Sequence, residues 1–260
     1  MIPRVIQTLA YRAFAMFRNI LLSAGIAGLL AALLLTLVQM ALITPLILQA
    51  ETFEAGPAVD AAPEHAEAAA VAHDHATHDH SGHDHHDADE WSPADGIERT
   101  LFTLASNIVM GFAYALLLVG VYVGWHRPPG ALQGLLFGLA GFAVFFAAPG
   151  LGLPPELPGT AAAELGARQQ WWLAAALAAA VGLALICMQK NNLLRGLGLA
   201  ILVAPHLVGA PHLAEESSLA PMELQHQFRL ATTLGNAAFW MALGAISAVA
   251  LQKLSTTQHH

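Results

Sequence analysis

Charge is what this sequence has least of. Charged residues fill 11% of its 260 positions, against roughly 25% in soluble domains, so the chain lacks the polar surface that a water-facing globule requires. Lys and Arg number ten in all, and none lies between Glu51 and Glu98, a stretch holding 13 of the 18 acidic residues. The remainder is close to continuous apolar sequence, a membrane composition. A net charge of −8 and the lack of clustered Lys and Arg exclude nucleic-acid binding, which needs them against phosphate. The single cysteine, Cys187, lies in an apolar run, which excludes an internal disulfide and a cysteine-only metal site. No G-x-x-x-x-G-K-[ST], H-E-x-x-H or G-x-S-x-G string occurs, so P-loop, zincin and serine-hydrolase chemistry have no carrier. A b-type haem needs facing axial ligands, and only His206 lies near membrane depth. No enzyme is expected.

What is present is a set of long apolar runs. A crossing takes roughly 20 apolar residues at about 1.5 Å each, and six stretches qualify, near 20–48, 101–124, 130–149, 171–189, 196–210 and 230–252. The expected fold class is an all-α integral membrane protein, a polytopic bundle of about six transmembrane helices. The fifth run has roughly 13 apolar residues before Pro205-His206, near the lower limit, and a five-span arrangement is the alternative. The first run is far longer than the roughly 7–15 residues of a signal peptide core and reads as an uncleaved anchor. With six spans and an inside N-terminus, seven of the ten basic residues fall inside; Arg99, Arg168 and Arg229 are the exceptions, and all 18 acidic residues fall outside. Basic residues favour the inner side, so both termini are expected in the cytoplasm. The chain then divides into residues 1–50 (N-terminus and first helix), 51–98 (an extracytoplasmic loop), 99–255 (helices two to six) and a tail, 256–260.

Small residues at Gly25, Gly28, Gly134, Gly138, Gly141, Gly196 and Gly198 are expected to let helices approach closely. Trp171, Trp172 and Trp240 read as interfacial or packing aromatics. Gln39, Asn107 and Asn236 lie inside apolar runs, where an amide needs a partner; interhelical hydrogen bonding is the expected role.

The loop carries the most specific chemistry. Residues 73–90 read HDHATHDHSGHDHHDADE. His73, His75, His78, His80, His83, His85 and His86, preceded by His65, alternate with Asp74, Asp79, Asp84 and Asp87. Imidazole with carboxylate suits cobalt, nickel, zinc and copper(II), while the lack of thiolate disfavours copper(I). The short irregular spacing specifies no single tetrahedral site, so several weak, exchangeable sites on a disordered acidic segment are expected. A featureless polar linker is the bland alternative, though such linkers ordinarily use Ser, Gly, Glu or Lys. A second candidate site lies at Ala204–His212, A-P-H-L-V-G-A-P-H, where prolines are expected to break the short fifth span beside His206 and His212. Short, Pro/Gly-interrupted spans point to binding sites in transporters; a solvated helix end with incidental histidines is the equal alternative. Glu51 and Glu54, at the end of the first span, can complete such a site or stand as solvated interfacial acids.

Several long strings resemble one family. They are A-G-I-A-G and Q-M-A-L-I-T-P-L-I-L-Q-A-E within 24–51, P-G-L-G-L-P-P-E-L-P-G (149–159), A-R-Q-Q-W-W (167–172), A-P-H-L-V-G-A-P (204–211) and Phe239-Trp240. In their order and spacing the chain resembles the CbtA family of predicted cobalt transporter subunits. The resemblance implies cobalt uptake serving cobalamin biosynthesis, in a bacterial inner (cytoplasmic) membrane, with a small single-span partner subunit of the CbtB type bearing its own histidine motif. It also implies about five spans, one fewer than the count above. Residues alone favour a divalent transition metal, with cobalt, nickel and zinc all chemically acceptable; a non-transporting metal buffer or sensor in the membrane is the other function class.

Overall fold

A computed structural model describes residues 4–54, 93–124, 129–213 and 217–256. It is built of helices: α1 (Arg4–Val38), α2 (Thr44–Glu54), α3 (Ile97–Gly124), α4 (Ala131–Phe142), α5 (Ala148–Gly152), α6 (Leu165–Met188), α7 (Asn192–Val208) and α8 (Met222–Thr256). Two π-helical turns, Gln39–Ile43 and Ala143–Ala147, join α1 to α2 and α4 to α5 without a break. Each ends two residues before a proline, Pro45 and Pro149. Proline offers no N–H, and its ring clashes with the carbonyl four residues back. The π turn shifts the register instead: Thr44 N–H reaches Gln39 O and Ala148 N–H reaches Ala143 O, five residues away.

Five helical units are long and apolar enough to cross a membrane: Ala13–Glu54, Ile97–Gly124, Ala131–Gly152, Leu165–Met188 and Met222–Thr256. Asn192–Val208 is apolar but has only 17 residues, about 25 Å at the helical rise. Its place follows from its partners. The turn from Met188 to Asn192 folds it back along α6; Gly198 faces Gly182, and Pro205-His206 lie beside Trp171, near the start of α6. The helix therefore returns almost the whole way.

The number of passes can be checked at the ends. Asn19 Nδ2 donates to Leu254 O at 3.2 Å, so the start of the first apolar span, near Asn19 in α1, and the end of α8 lie on one face. Glu51 meets Arg99 on the other. Between them α4 runs antiparallel to α8, through Gly134 against Ala248 and Gly138 against Trp240, and α6 runs antiparallel to α4–α5, through Gly152 against Trp171. Ends on a common face demand an even number of traverses of the bundle, and α7, shorter than the five long apolar helices, runs back along α6 as the remaining one. The two faces are called here the Glu51 face and the Lys253 face. Glu51, Glu54, Asp95, Glu98, Glu156, Glu164 and Glu223 lie at the first; Arg18, Lys190, Arg195 and Lys253 lie at the second.

Backbones touch where glycines meet. A Cβ on Gly28 would lie 2.7 Å from Phe112 N, one on Gly111 2.7 Å from Gly28 O, and one on Gly182 2.7 Å from Gly198 O; Gly134 and Gly138 press in the same way on Gly244 and the Trp240 carbonyl. Gly28, Gly134, Gly138 and Gly198 thus do what was expected of them, and Gly141 makes room for the Trp240 ring. Gly25 and Gly196 do not, since a Cβ on either would meet nothing within 4 Å; Gly196, two residues from Gly198, lies on the opposite, exposed side of its helix. The main core joins α1, α3 and α8 through Ala24, Ala27, Ala31, Val119, Trp240 and Leu243, with Phe137 and Phe142 of α4 packed against it.

Candidate functional site

Three of the strings that carry the family resemblance converge on the Glu51 face. The helix α5 stops at Gly152 because Pro154 and Pro155 follow; neither has an N–H to extend it, and each pushes its predecessor out of helical geometry. Gly152 itself leaves space for the Trp171 ring, which a Cβ would strike. The chain then turns at Gly159, whose φ of 73° is costly for any residue with a side chain. It pairs with the segment before α8: Ala161 N donates to Ser217 O at 2.9 Å and Leu219 N to Gly159 O at 3.2 Å. Glu164 caps α6, accepting from Gly166 N at 2.8 Å and Ala167 N at 2.7 Å. Those two backbone donors hold its carboxyl below the usual carboxylate range.

On this frame Arg168 donates to Glu156 at 3.1 Å. One turn deeper, Trp171 Nε1 donates to Pro205 O at 3.3 Å, and its ring meets His206 edge-on with centroids 5.7 Å apart. The Pro205 carbonyl also accepts from Gly209 N at 3.1 Å. Pro205 does not break α7, as expected from sequence, but sits inside it. The helix runs on to Val208 and ends at Gly209, with φ 86°, and the Trp171 indole pins the Pro205 carbonyl.

Two adjoining cavities open here. One, of about 810 Å³, runs between Glu156, Arg168 and Gln169 down to Phe145, Trp172 and Phe228. Its floor is aromatic: Phe145 stacks on Trp240 at 5.5 Å, and Tyr114 leans on both. The other, of about 600 Å³, shares Glu156 and Arg168 and adds His212, Gln225 and Arg229.

A separate polar seam lies between α1–α2 and α3. Asn107 Nδ2 donates to Thr36 Oγ1 at 2.9 Å and to Gln39 Oε1 at 2.5 Å, so this pair of amides is interhelical, as expected. Asn236 instead donates to Thr232 O within its own helix. Toward the face, Thr100 Oγ1 donates to Met40 Sδ at 3.6 Å. At the mouth, Arg99 bridges Glu51, at 2.6 and 3.3 Å, and Asp95, at 2.9 Å. Cavities of about 840 and 270 Å³ flank this seam.

The expected metal ligands fare differently from one another. Glu51 is held by Arg99. Glu54 lies beside Gly159 and Leu219, His206 rests on Trp171, and His212 lines the 600 Å³ cavity. Among the described residues no three His, Cys, Asp or Glu side chains form a group that can hold a metal ion, so these four are not gathered into one site. His73, His75, His78, His80, His83, His85 and His86 lie outside the described residues. Sequence reasoning passed over Glu156, Arg168 and Arg229 as site residues. A signal was present: Arg99, Arg168 and Arg229 are the three basic residues on the face where basic residues are disfavoured.

No curated protein and no solved structure matches the chain. A family model does, over residues 17–252, which run from within α1 to within α8, and its description is "Probable cobalt transporter subunit (CbtA)". With that span matched, this multi-pass helical protein belongs to the CbtA family of probable cobalt transporter subunits.

Proposed function

We propose that this chain is the membrane-embedded subunit of a cobalt uptake system, with residues 51–98 gathering divalent ions outside a bacterial inner membrane and both termini in the cytoplasm. The observation that carries the reading is the separation of charge. Every described carboxylate lies on the face that bears the cavities, at the end of the chain's route into and out of residues 55–92. The opposite face is basic, the arrangement of a cytoplasmic side.

In this reading His73, His75, His78, His80, His83, His85 and His86 concentrate the ion, and Glu51, Glu54, His206 and His212 act singly at the rim of the bundle rather than as one cage. Weak, separated contacts suit transport, where an ion must leave each site it enters. Cobalt follows from the family; imidazole and carboxylate also accept nickel and zinc. A small single-span subunit of the CbtB type is the expected partner, and no energy-supplying nucleotide site is expected on this chain.

A non-transporting metal buffer is the second reading, favoured by the lack of a three-ligand group among the described residues. Cobalt accumulation in cells with and without the chain, with nickel and zinc as competitors, separates the two. Uptake that rises with the chain, falls on removal of residues 73–90 and falls further with His206→Ala and His212→Ala supports transport. Accumulation unaffected by the two histidine substitutions supports the buffer. Labelling that placed residues 55–95 in the cytosol would overturn both arrangements.

A further inference from the structure

Three arginines lie on the Glu51 face, and two have evident reasons to be there. Arg99 bridges Glu51 and Asp95, and Arg168 is bound to Glu156. Arg229 has no ion pair among the described residues, and its Nε is buried without a hydrogen-bond partner. The Thr232 hydroxyl, one turn further into the bundle on α8, is buried in the same condition; the other such atom among the described residues is Ser23 Oγ, on α1. Buried polar groups are nearly always satisfied, and a charged donor left open is the costliest exception. A guanidinium whose Nε lacks a partner, on a residue that lines a cavity, therefore marks a place where a ligand can supply an acceptor.

The cavity fits that description. Its 600 Å³ or so is lined by Arg229, Arg168, Gln225 and His212, with hydroxyls from Thr160 and Ser217. Glu156 is the sole carboxylate on its described wall, and Arg168 already engages it. Among the described residues two guanidiniums thus face one carboxylate; Glu215 and Glu216, between the lining residues Leu213 and Ser217, lie outside the described residues. The guanidinium fork matches carboxylate and phosphate oxygens.

We propose that this cavity, between the 153–163 loop and the first turns of α8, binds a small oxyanion, a carboxylate or phosphate, with Arg229 as its principal donor and Arg168 as the second positive charge. The proposal needs no metal and stands apart from the cobalt reading.

The test uses the purified full-length protein in lipid-free detergent micelles and metal-free buffer. Acetate, citrate and inorganic phosphate are titrated calorimetrically, and phosphatidylglycerol binding is followed separately by native mass spectrometry. At least one soluble oxyanion should bind wild-type protein, and Arg229→Gln should weaken it about tenfold or more, the scale of one lost charge-assisted hydrogen bond. Arg99→Gln, outside the cavity, should leave the affinity unchanged. If Arg229→Gln does not fold, Arg229→Lys keeps the charge, loses the fork, and should bind several-fold more weakly. Phosphatidylglycerol binding that alone responds to the Arg229 variants identifies a lipid headgroup as the oxyanion and supports the site. Absence of binding by wild type to all four probes, or undiminished binding by the Arg229 variants, overturns it. Because cobalt is absent throughout, neither result depends on whether the chain transports it.

Discussion

In the half of the bundle toward Lys253, helices meet backbone to backbone: Gly134 and Gly138 against Gly244, Gly182 against Gly198, and, nearer the midplane, Gly28 against Gly111. In the half toward Glu51, the same helices carry two π turns, prolines, ion pairs, four cavities and the unsatisfied Arg229. Lipid gives helices no hydrophobic reason to associate, so close packing of small residues has to hold them together. One half of this molecule is devoted to that. The other half keeps a smaller buried cluster, Ile43, Ala50, Leu157, Ala220, Leu224 and Phe228, and around it gives way to polar groups and space.

The largest expected effect tests the packed half. Gly138→Leu places a side chain where the Trp240 carbonyl already sits, and Gly244→Val does so against Gly134 O. Nothing flexible can yield there, so each should cost about 3 kcal/mol or more and most of the folded yield, read by thermal unfolding in detergent. Gly25→Leu and Gly196→Leu meet open space and should fall within about 0.5 kcal/mol of wild type. Equal losses at all four positions would show that the crossings do not carry the fold.

Next in size is the seam between α1 and α3. Asn107→Leu removes the donor to both Thr36 and Gln39 and strands the Gln39 amide. The cost should be about 1–2 kcal/mol in the same unfolding assay. Asn236→Leu loses only a bond to its own helix and should cost less. If Asn236→Leu proves the worse, the polar seam is not a structural element.

A smaller effect on stability but a larger one on uptake is expected from Glu51→Gln. Arg99 retains Asp95, and an ion pair as exposed as this one contributes under about 1 kcal/mol. Cobalt accumulation should fall several-fold with folded protein unchanged. Uptake that survives with the ion pair gone would leave the open half of the molecule without a demonstrated role at this mouth.

How much of this was legible in the sequence depended on whether one helix was enough to read it. Apolar length located the five long helices and left α7 doubtful, and the placement of Arg and Lys anticipated that the start of the first span and the end of α8 share a face. Gly28, Gly138 and Asn107 were identifiable because a small or amide residue in an apolar run calls for a neighbour. Which neighbour was not identifiable: Gly111 and Gly244 answer Gly28 and Gly138 only at particular helix rotations, which pairwise packing sets. Pro205 was misread as a helix end because its compensation, the Trp171 indole on its own carbonyl, comes from 34 residues away. Pro45 and Pro149 hid π turns for a related reason, since a register shift leaves no mark in composition. Arg229 was visible as an exception to the charge bias, but only the positions of Glu51 and Glu156 single it out from Arg99 and Arg168.

The smallest expected effect lies at the edge of the open half, in the cap of α6. Glu164 is fully exposed and accepts from Gly166 N and Ala167 N, and these bonds favour its charged form. Its folded-state pKa is lowered, so its contribution is complete above the ordinary carboxylate range and is lost as pH falls through the lowered value. Glu164→Gln should therefore melt slightly below wild type at neutral pH, with the gap closing on acidification. Because α6 presents Arg168 to Glu156 and Trp171 to Pro205, fraying of its first turn should also loosen the cavity wall. Oxyanion affinity in Glu164→Gln should fall modestly at neutral pH, by less than in any Arg229 variant. A larger loss than in Arg229→Gln would mean that the frame, rather than the guanidinium, governs binding there.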